Sequence, residues 1–359
     1  MRLAPDEGAS LQELSSIGKD LHSFVGTKPM SRPREATPPV ESNADDLVNV
    51  LYIGSYTRSG STVLNRLLGS LSEHLAVGET WHIWNVGFTQ NQLCGCGAPF
   101  RECEFWTTVM ERAFGGFDQV DVERMSALWH SVQSRWYLLF LAVPQLRPPA
   151  YRKRLKEYAE ILSRLYRAIN EISGCSVIVD SSKLASYAFI LSEVEGLRLR
   201  GVHLIRDSRA TAYSWKRKKV RPEIHWKTTY MERYSLTKTA FEWSAMHILL
   251  SYAMGRFDRR LVCRYEDLTR NPQTMLHDIG GLFDNRGGEV EWSEDGTSVE
   301  LQLDHTVGGN PNRFERGSIK IRVDDEWKMK MPWYQRWYVT AATAPLLFRY
   351  GYLSRRKSD

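Results

Sequence analysis

The stretch Leu47-Val48-Asn49-Val50-Leu51-Tyr52-Ile53-Gly54-Ser55-Tyr56-Thr57-Arg58-Ser59-Gly60-Ser61-Thr62 decides the fold. Leu47 to Tyr56 is an apolar, β-branched-rich run that reads as a strand, and Ser61 to Ser72 reads as the helix that follows. A strand that turns directly into a helix presents backbone N–H groups and the positive end of the helix dipole to an anion. The hydroxyls of Ser59, Ser61 and Thr62 add donors, so the loop is a phosphate cradle in principle. It is not the nucleotide-kinase loop, which requires a lysine after the second glycine; here Gly60 is followed by Ser61. Taken alone, an ordinary strand-turn-helix connection capped by a serine explains the loop equally well.

Working outward, apolar strands keep alternating with longer amphipathic segments, the signature of an α/β fold with a parallel sheet. Further strands are expected at Ser176 to Asp180, Val202 to Arg206 and Arg260 to Tyr265. Leu155, Tyr158, Leu162, Leu165, Ile169 and Ile172 recur at helical spacing and predict a crossover helix; another long helix is expected over Tyr234 to Met254. Ligands of such sheets bind at the carboxyl ends of the strands. Residues 1–45 differ in texture: Leu11, Leu14, Ile17, Leu21 and Phe24 allow a short amphipathic stripe, but Pro29, Pro33, Pro38 and Pro39 break its continuation. This segment reads as a mobile arm rather than a domain. No internal repeat is visible.

The chain is 359 residues long, enough for one large domain or two small ones, and its 42% hydrophobic and 25% charged content is that of an ordinary globular fold. A net charge of +6 and a pI near 9.0 suit an anionic ligand such as a nucleotide and equally a surface biased towards arginine. No apolar run approaches the ~20 residues needed to span a bilayer, and the N-terminus lacks a signal peptide's apolar core, so a cytoplasmic location is expected. Five cysteines, an odd number, argue against a fully paired disulfide framework, with one free thiol beside two bridges as the alternative.

Arg58-Ser59-Gly60-Ser61-Thr62 resembles the donor loop of the sulfotransferase superfamily as it occurs in the carbohydrate and protein-tyrosine branches and in bacterial members, where a basic residue precedes Ser-Gly-[Ser/Thr]-[Ser/Thr]. The segment Leu204 to Ser214 is similar to the family's second motif, an arginine ending a strand and a serine eight residues later: Arg206 and Ser214 stand in those places. Val179 to Lys183 and Arg264-Tyr265-Glu266-Asp267-Leu268 resemble two further segments, and Gly308 to Phe314 with Gly317 resembles the glycine-containing segment that closes over the adenosine 3′-phosphate. The likeness covers roughly residues 47–350. It implies a P-loop-like three-layer α/β fold, a sulfotransferase domain over 46–359, and 3′-phosphoadenosine 5′-phosphosulfate (PAPS) as donor with PAP as product. Arg58, Ser59, Gly60, Ser61, Thr62, Arg206, Ser214, Tyr265, Asn310, Arg313 and Gly317 are then the expected nucleotide-binding residues. Chemistry supports Arg206 independently, because a guanidinium holds phosphate in a bidentate fork; the alternative is a surface ion pair with Asp207 or another carboxylate.

Sulfuryl transfer needs an in-line nucleophile, a stabilised leaving phosphate and a general base. Arg58 and Lys183 are the expected cations for the leaving group, Lys183 having a solvated helix-start lysine as its alternative. Glu79, twenty-one residues after Arg58, matches the glutamate base that the resemblance implies. His82 competes for that role, although a histidine between Trp81 and Trp84 is more often packed than catalytic. No metal is expected: Cys94, Cys96 and Cys103 invite a zinc reading, but C-x-C is not the usual knuckle spacing and no fourth ligand lies near, so structural cysteines or a disulfide are preferred. Residues 90–150, with Trp129, Trp136, Tyr137 and Arg147, are expected to form a helical cap or insert near the acceptor site, although core packing explains the aromatics equally well. The acceptor is expected to be a hydroxyl compound, with no nucleic acid and no integral membrane segment involved. Two other classes compete: a P-loop nucleotide-dependent kinase, and a non-enzymatic nucleotide- or nucleic-acid-binding protein.

Overall fold

In the computed structural model the first strand, β1 (Val48–Ser55), lies at the centre of a sheet and is buried along almost its whole length. Its side chains alternate between two cores, as the two-residue period of a strand requires. Val48, Val50 and Tyr52 point to one face and Leu51 and Ile53 to the other. A strand apolar on both faces belongs inside a parallel sheet covered by helices on each side. The structure describes residues 47–217, 232–283, 290–294, 296–301 and 304–353; the expected arm at 1–45 lies outside them.

Four strands join β1: β2 (His74–Gly78), β3 (Val177–Lys183), β4 (Leu197–Ile205) and β5 (Arg259–Arg264). The order is β2-β3-β1-β4-β5 and every pairing is parallel. One core packs β1, β3 and β4 against the helices Pro149–Ser173, Ala185–Leu191 and Leu236–Ala253. The other packs the opposite face against Ser61–Gly69 and Pro272–Gly280. The result is the expected three-layer α/β fold. Because all five strands run the same way, their carboxyl ends share one rim; the register sets Gly54 opposite Lys183 and Gly78 opposite Asp180.

The crossover helix begins with proline at its first position and ends at Gly174, φ +64°, the usual chemistry of a helix start and stop. Its stripe of Leu155, Tyr158, Leu162, Leu165 and Ile169 is buried, each worth about 1.5–3 kcal/mol. β3 runs three residues past its expected end, to Lys183, and two other strands of the sheet differ more. β4 starts five residues earlier because Arg198 and Arg200 hide its alternation; Arg200 is buried, paired with Asp258 at 2.7 Å. β2 was not expected, being five residues long and opening on a histidine whose pKa burial lowers to about 4. A small antiparallel pair, β6 (Ser298–Leu301) and β7 (Gly317–Lys320), brackets a segment that returns to the rim.

In the 90–150 stretch Trp106, Val109 and Met110 pack into the core, and Trp129 is buried against the rings of Trp81, Tyr158 and Tyr187. Arg147 is buried on Glu193, with N···O distances of 2.7 and 2.8 Å, while Trp136 is 76% exposed. Gln92 is the residue by which this stretch reaches the rim cavity among the described residues.

Candidate active site at the sheet rim

Beyond β1 the chain passes through two left-handed residues, Arg58 at φ +68° and Gly60 at φ +87°. A Cβ on Gly60 would collide with the ring of Tyr265, so the turn requires glycine. Gly60 caps the Ser61–Gly69 helix and, having no side chain, makes no cap bond to the first amides, a helix end of the kind that suits an anion. Ser59 Oγ is buried without a hydrogen-bond partner among the described residues. Arg58, a left-handed non-glycine residue, is held by bonds from Nε to Ser214 Oγ at 3.2 Å and from Nη2 to the Ser214 carbonyl at 3.3 Å.

Arg206 follows β4 directly. It donates to the Arg58 carbonyl at 2.9 Å, pairs with Asp324 at 2.9 Å and lies over the Tyr265 ring at 4.6 Å, while its Nε is buried without a partner. The alternative pairing with Asp207 is not made, because Asp207 caps the Ser208–Ser214 helix and holds Arg209 at 2.6 Å. Arg206 and Ser214 thus meet through Arg58. Burial first, then the cations Arg206 and Arg217, push the Arg58 pKa below its ordinary value. Guanidiniums crowded so that they oppose one another's charge, beside orphaned buried donors, fit a polyanionic ligand.

On the opposite wall Lys183, φ +69°, ends β3 and its Nζ is ion-paired with Glu79 Oε1 just beyond β2; both side chains are nearly buried. Burial raises the Glu79 carboxyl, but Lys183, then His82, and bonds from Lys183 and Trp81 outweigh it, and the net shift is downward. Trp81 Nε1 donates to Glu79 Oε2 at 3.4 Å; His82 Nε2 lies 4.0 Å from the same oxygen and its ring packs on Trp81. Below the pair, fully buried Asp180 accepts bonds from Thr80, Tyr166 and the Ser182 amide, the last at 2.7 Å. Burial raises its pKa. These bonds lock the turns that carry Glu79 and Lys183 to each other.

The returning segment closes the site. Val307 pairs with Gly78, and its carbonyl accepts the Glu79 amide at 2.7 Å. Gly308 and Gly309, φ +66° and +101°, lie against Glu79, His82 and Thr62, and the Asn310 amide donates to Thr62 Oγ1 at 3.3 Å. Arg58, Gly60, Ser61, Thr62, Glu79, Lys183, Arg206, Ser214, Tyr265 and Asn310 therefore line one cavity of about 510 Å³.

Three expected residues do not line it. Ser59 sits behind the loop. Arg313 is buried with its guanidinium on the carbonyls of Gly308 and of Leu93, the latter at 2.7 Å, so it holds the segment's shape. Gly317 opens β7. Conversely, Asp324, Gln92, Val86 and Trp215 line the cavity without any signal in the sequence; the structure places Val86 on a π-helical segment, Ile83–Thr89, a feature frequent at functional sites.

All five cysteines are free, and three of them meet His305, the fourth soft donor that the sequence had hidden. No helix among the described residues is long and apolar enough to cross a membrane. No family model and no curated protein matches the chain. Among the solved structures similar to it are three sulfotransferases. The sulfotransferase domain from the Synechococcus PCC 7002 olefin synthase is 17% identical, over 89% of this chain and 98% of that one, with a TM-score of 0.46. The sulfotransferase domain from the curacin biosynthetic pathway is 16% identical over 83% and 98%, TM-score 0.43. The sulfotransferase STF9 from Mycobacterium avium is 14% identical over 67% and 65%, TM-score 0.37.

Proposed function

We propose that this chain is a sulfotransferase that moves a sulfuryl group from PAPS to a hydroxyl acceptor. The observation that carries the reading is the opposition of the two cavity walls: uncapped helix amides with Arg58 and Arg206 on one side, and a buried carboxylate paired with a lysine on the other. Bound PAPS would supply the activated sulfuryl group. Arg58, Gly60, Ser61 and Thr62 would hold its 5′ phosphosulfate, and Arg206 with Ser214 its 3′-phosphate, which takes the place of Asp324 on Arg206. Tyr265, under Arg206 and Gly60, shapes the floor.

Glu79 is the general base. Its lowered pKa keeps it ionised at neutral pH, ready to take the acceptor's proton. Once protonated it no longer neutralises Lys183, whose ammonium is then the cation available to the oxygen left behind. On this reading residues 46–359 are the transferase domain, and Gln92, which lines the cavity, is where the 90–150 stretch would meet the acceptor.

A thermal-shift comparison tests the class. PAP at 100 times its Kd stabilises the fold by about 2.7 kcal/mol, whereas ATP and an oligonucleotide leave it unchanged. An equal shift with ATP favours a kinase, and a shift with oligonucleotide alone a nucleic-acid-binding protein. Transfer of label from PAPS into a metabolite extract then separates an enzyme from a protein that only binds PAP.

A further inference from the structure

Cys94 and Cys96 lie on a tight turn closed by the Cys94 amide on the Ala98 carbonyl and the Gly97 amide on the Cys94 carbonyl, both at 2.8 Å. Cys103 immediately precedes the Glu104–Phe114 helix, and His305 arrives from 202 residues further on, between β6 and β7. The three sulfurs and one imidazole nitrogen all lie within 4.8 Å of one another. Cys96 Sγ is 3.7 Å from Cys103 Sγ, and Cys103 Sγ is 3.3 Å from His305 Nδ1. A tetrahedral zinc with Zn–S near about 2.3 Å and Zn–N near about 2.0 Å sets sulfur pairs about 3.8 Å apart and sulfur–nitrogen pairs about 3.5 Å apart. A disulfide would need about 2.05 Å.

We infer that Cys94, Cys96, Cys103 and His305 bind one zinc ion as a closed structural site, separate from the cavity and independent of which reaction the cavity performs. Three thiolates and an imidazole are soft donors that select zinc over magnesium or calcium, and four protein ligands leave no open position for catalysis. The surroundings already fix the ligands. Phe105 stacks on the His305 ring at 4.8 Å with 20° between planes, and Trp106 Nε1 donates to the His305 carbonyl at 2.8 Å. The stacked ring restricts the turn of the imidazole, and the Trp106 bond fixes the backbone that carries it. Gly95 donates to the Thr306 carbonyl at 3.0 Å, and a side chain there would collide with Asp304, so glycine between the two cysteines is what lets the His305 segment approach. A Zn²⁺ with three thiolates carries one net negative charge; the Arg316 guanidinium lies 3.4 Å from where a Cβ on Gly97 would stand.

The placement gives the ion a task. The same segment continues through Val307, Gly308 and Gly309, which back Glu79, and through Arg313, which bonds the Leu93 carbonyl. Zinc would pin this segment to residues 94–103 and thereby hold one wall of the cavity. Binding releases the thiol protons to solvent, so loading strengthens as pH rises.

The test uses the full chain, without a histidine tag and purified without chelator. Elemental analysis is expected to find about one zinc per chain, lost in His305→Ala and in Cys103→Ser and kept in His305→Cys, which restores a soft fourth ligand. Cobalt(II) exchanged into the unaltered protein is expected to give the intense visible bands of a tetrahedral ion together with thiolate-to-cobalt charge transfer. Removing the metal with an organomercurial should expose the segment around residues 304–313 to protease. Folded protein purified without zinc, with Cys96 and Cys103 either disulfide-bonded or freely reactive, overturns the assignment. So does the weak spectrum of octahedral cobalt, or full metal content in His305→Ala. If the variants fail to fold, the cobalt spectrum of the unaltered chain decides.

Discussion

The wall that carries Arg58, Arg206 and Ser214 and the wall that carries Glu79 and Lys183 satisfy their charges differently. On the first, burial and then the neighbouring cations Arg206 and Arg217 lower the Arg58 guanidinium, Ser59 Oγ and Arg206 Nε have no partner among the described residues, and Asp324 is a partly exposed counter-ion. On the second, a nearly buried lysine and glutamate neutralise each other above a fully bonded Asp180. The first wall keeps donors open to the proposed nucleotide; the second is complete in itself. Substitutions on the first should therefore act on binding, and those on the second on turnover.

The largest expected effect is on the second wall. Glu79→Gln keeps the shape and removes the basicity, so turnover should fall by at least about a hundredfold while PAP affinity changes by less than about threefold. A parallel loss of PAP affinity would erase the distinction between the walls. His82→Ala should be much milder; if it is dead and Glu79→Gln is active, the histidine is the base. The pH profile gives a second view. Glu79's pKa is lowered from 4.5, so at saturating PAPS the acceptor kcat/KM should hold steady down to that pH and fall only below it, whereas an imidazole base would bring the fall in near about 6.5. The same sign applies to stability: the ion pair's contribution is present above 4.5 and is lost as pH falls through the lower folded value.

On the first wall, Arg206→Ala should weaken PAP binding by roughly 1.5–3 kcal/mol, the range of a charge-assisted hydrogen bond, with turnover at saturation much less affected. The analogue lacking the 3′-phosphate should lose little. Equal losses for both nucleotides would show that Arg206 does not read that phosphate. The smallest effect is expected from Asp324→Asn, which removes Arg206's internal anion. PAP should then bind slightly more tightly, by under about 1 kcal/mol given Asp324's partial exposure. Weaker binding, measured by calorimetry, would make Asp324 a positioning residue for Arg206 instead of a competitor.

Much of the first wall was legible in the chain because its parts are local. The run from Leu47 to Thr62 contains its own strand, turn and helix start, and Ser214 ends the short helix that follows Arg206. The long crossover helix was legible for the same reason, since its apolar stripe repeats every turn. Where composition alone had to decide, it did not. Trp129, Tyr137 and Arg147 have the makeup of a binding cap, and packing made Trp129 and Arg147 parts of the interior.

By itself, then, the sequence determined the α/β class and the strand-turn-helix start at Gly60, and its resemblance to a known family singled out Glu79, Lys183, Arg58 and Arg206 as the groups worth placing. Tertiary structure alone decided their partners: Lys183 on Glu79, Asp324 on Arg206, His305 beside three cysteines, and Arg313 turned from expected ligand into a brace. The physical reason is distance along the chain. Helix and strand periods are written in neighbouring residues, whereas a charge meets its counter-charge only after the order β2-β3-β1-β4-β5 has brought strand ends and a returning loop, as far apart as Thr62 and Asn310 at 248 residues, to one rim.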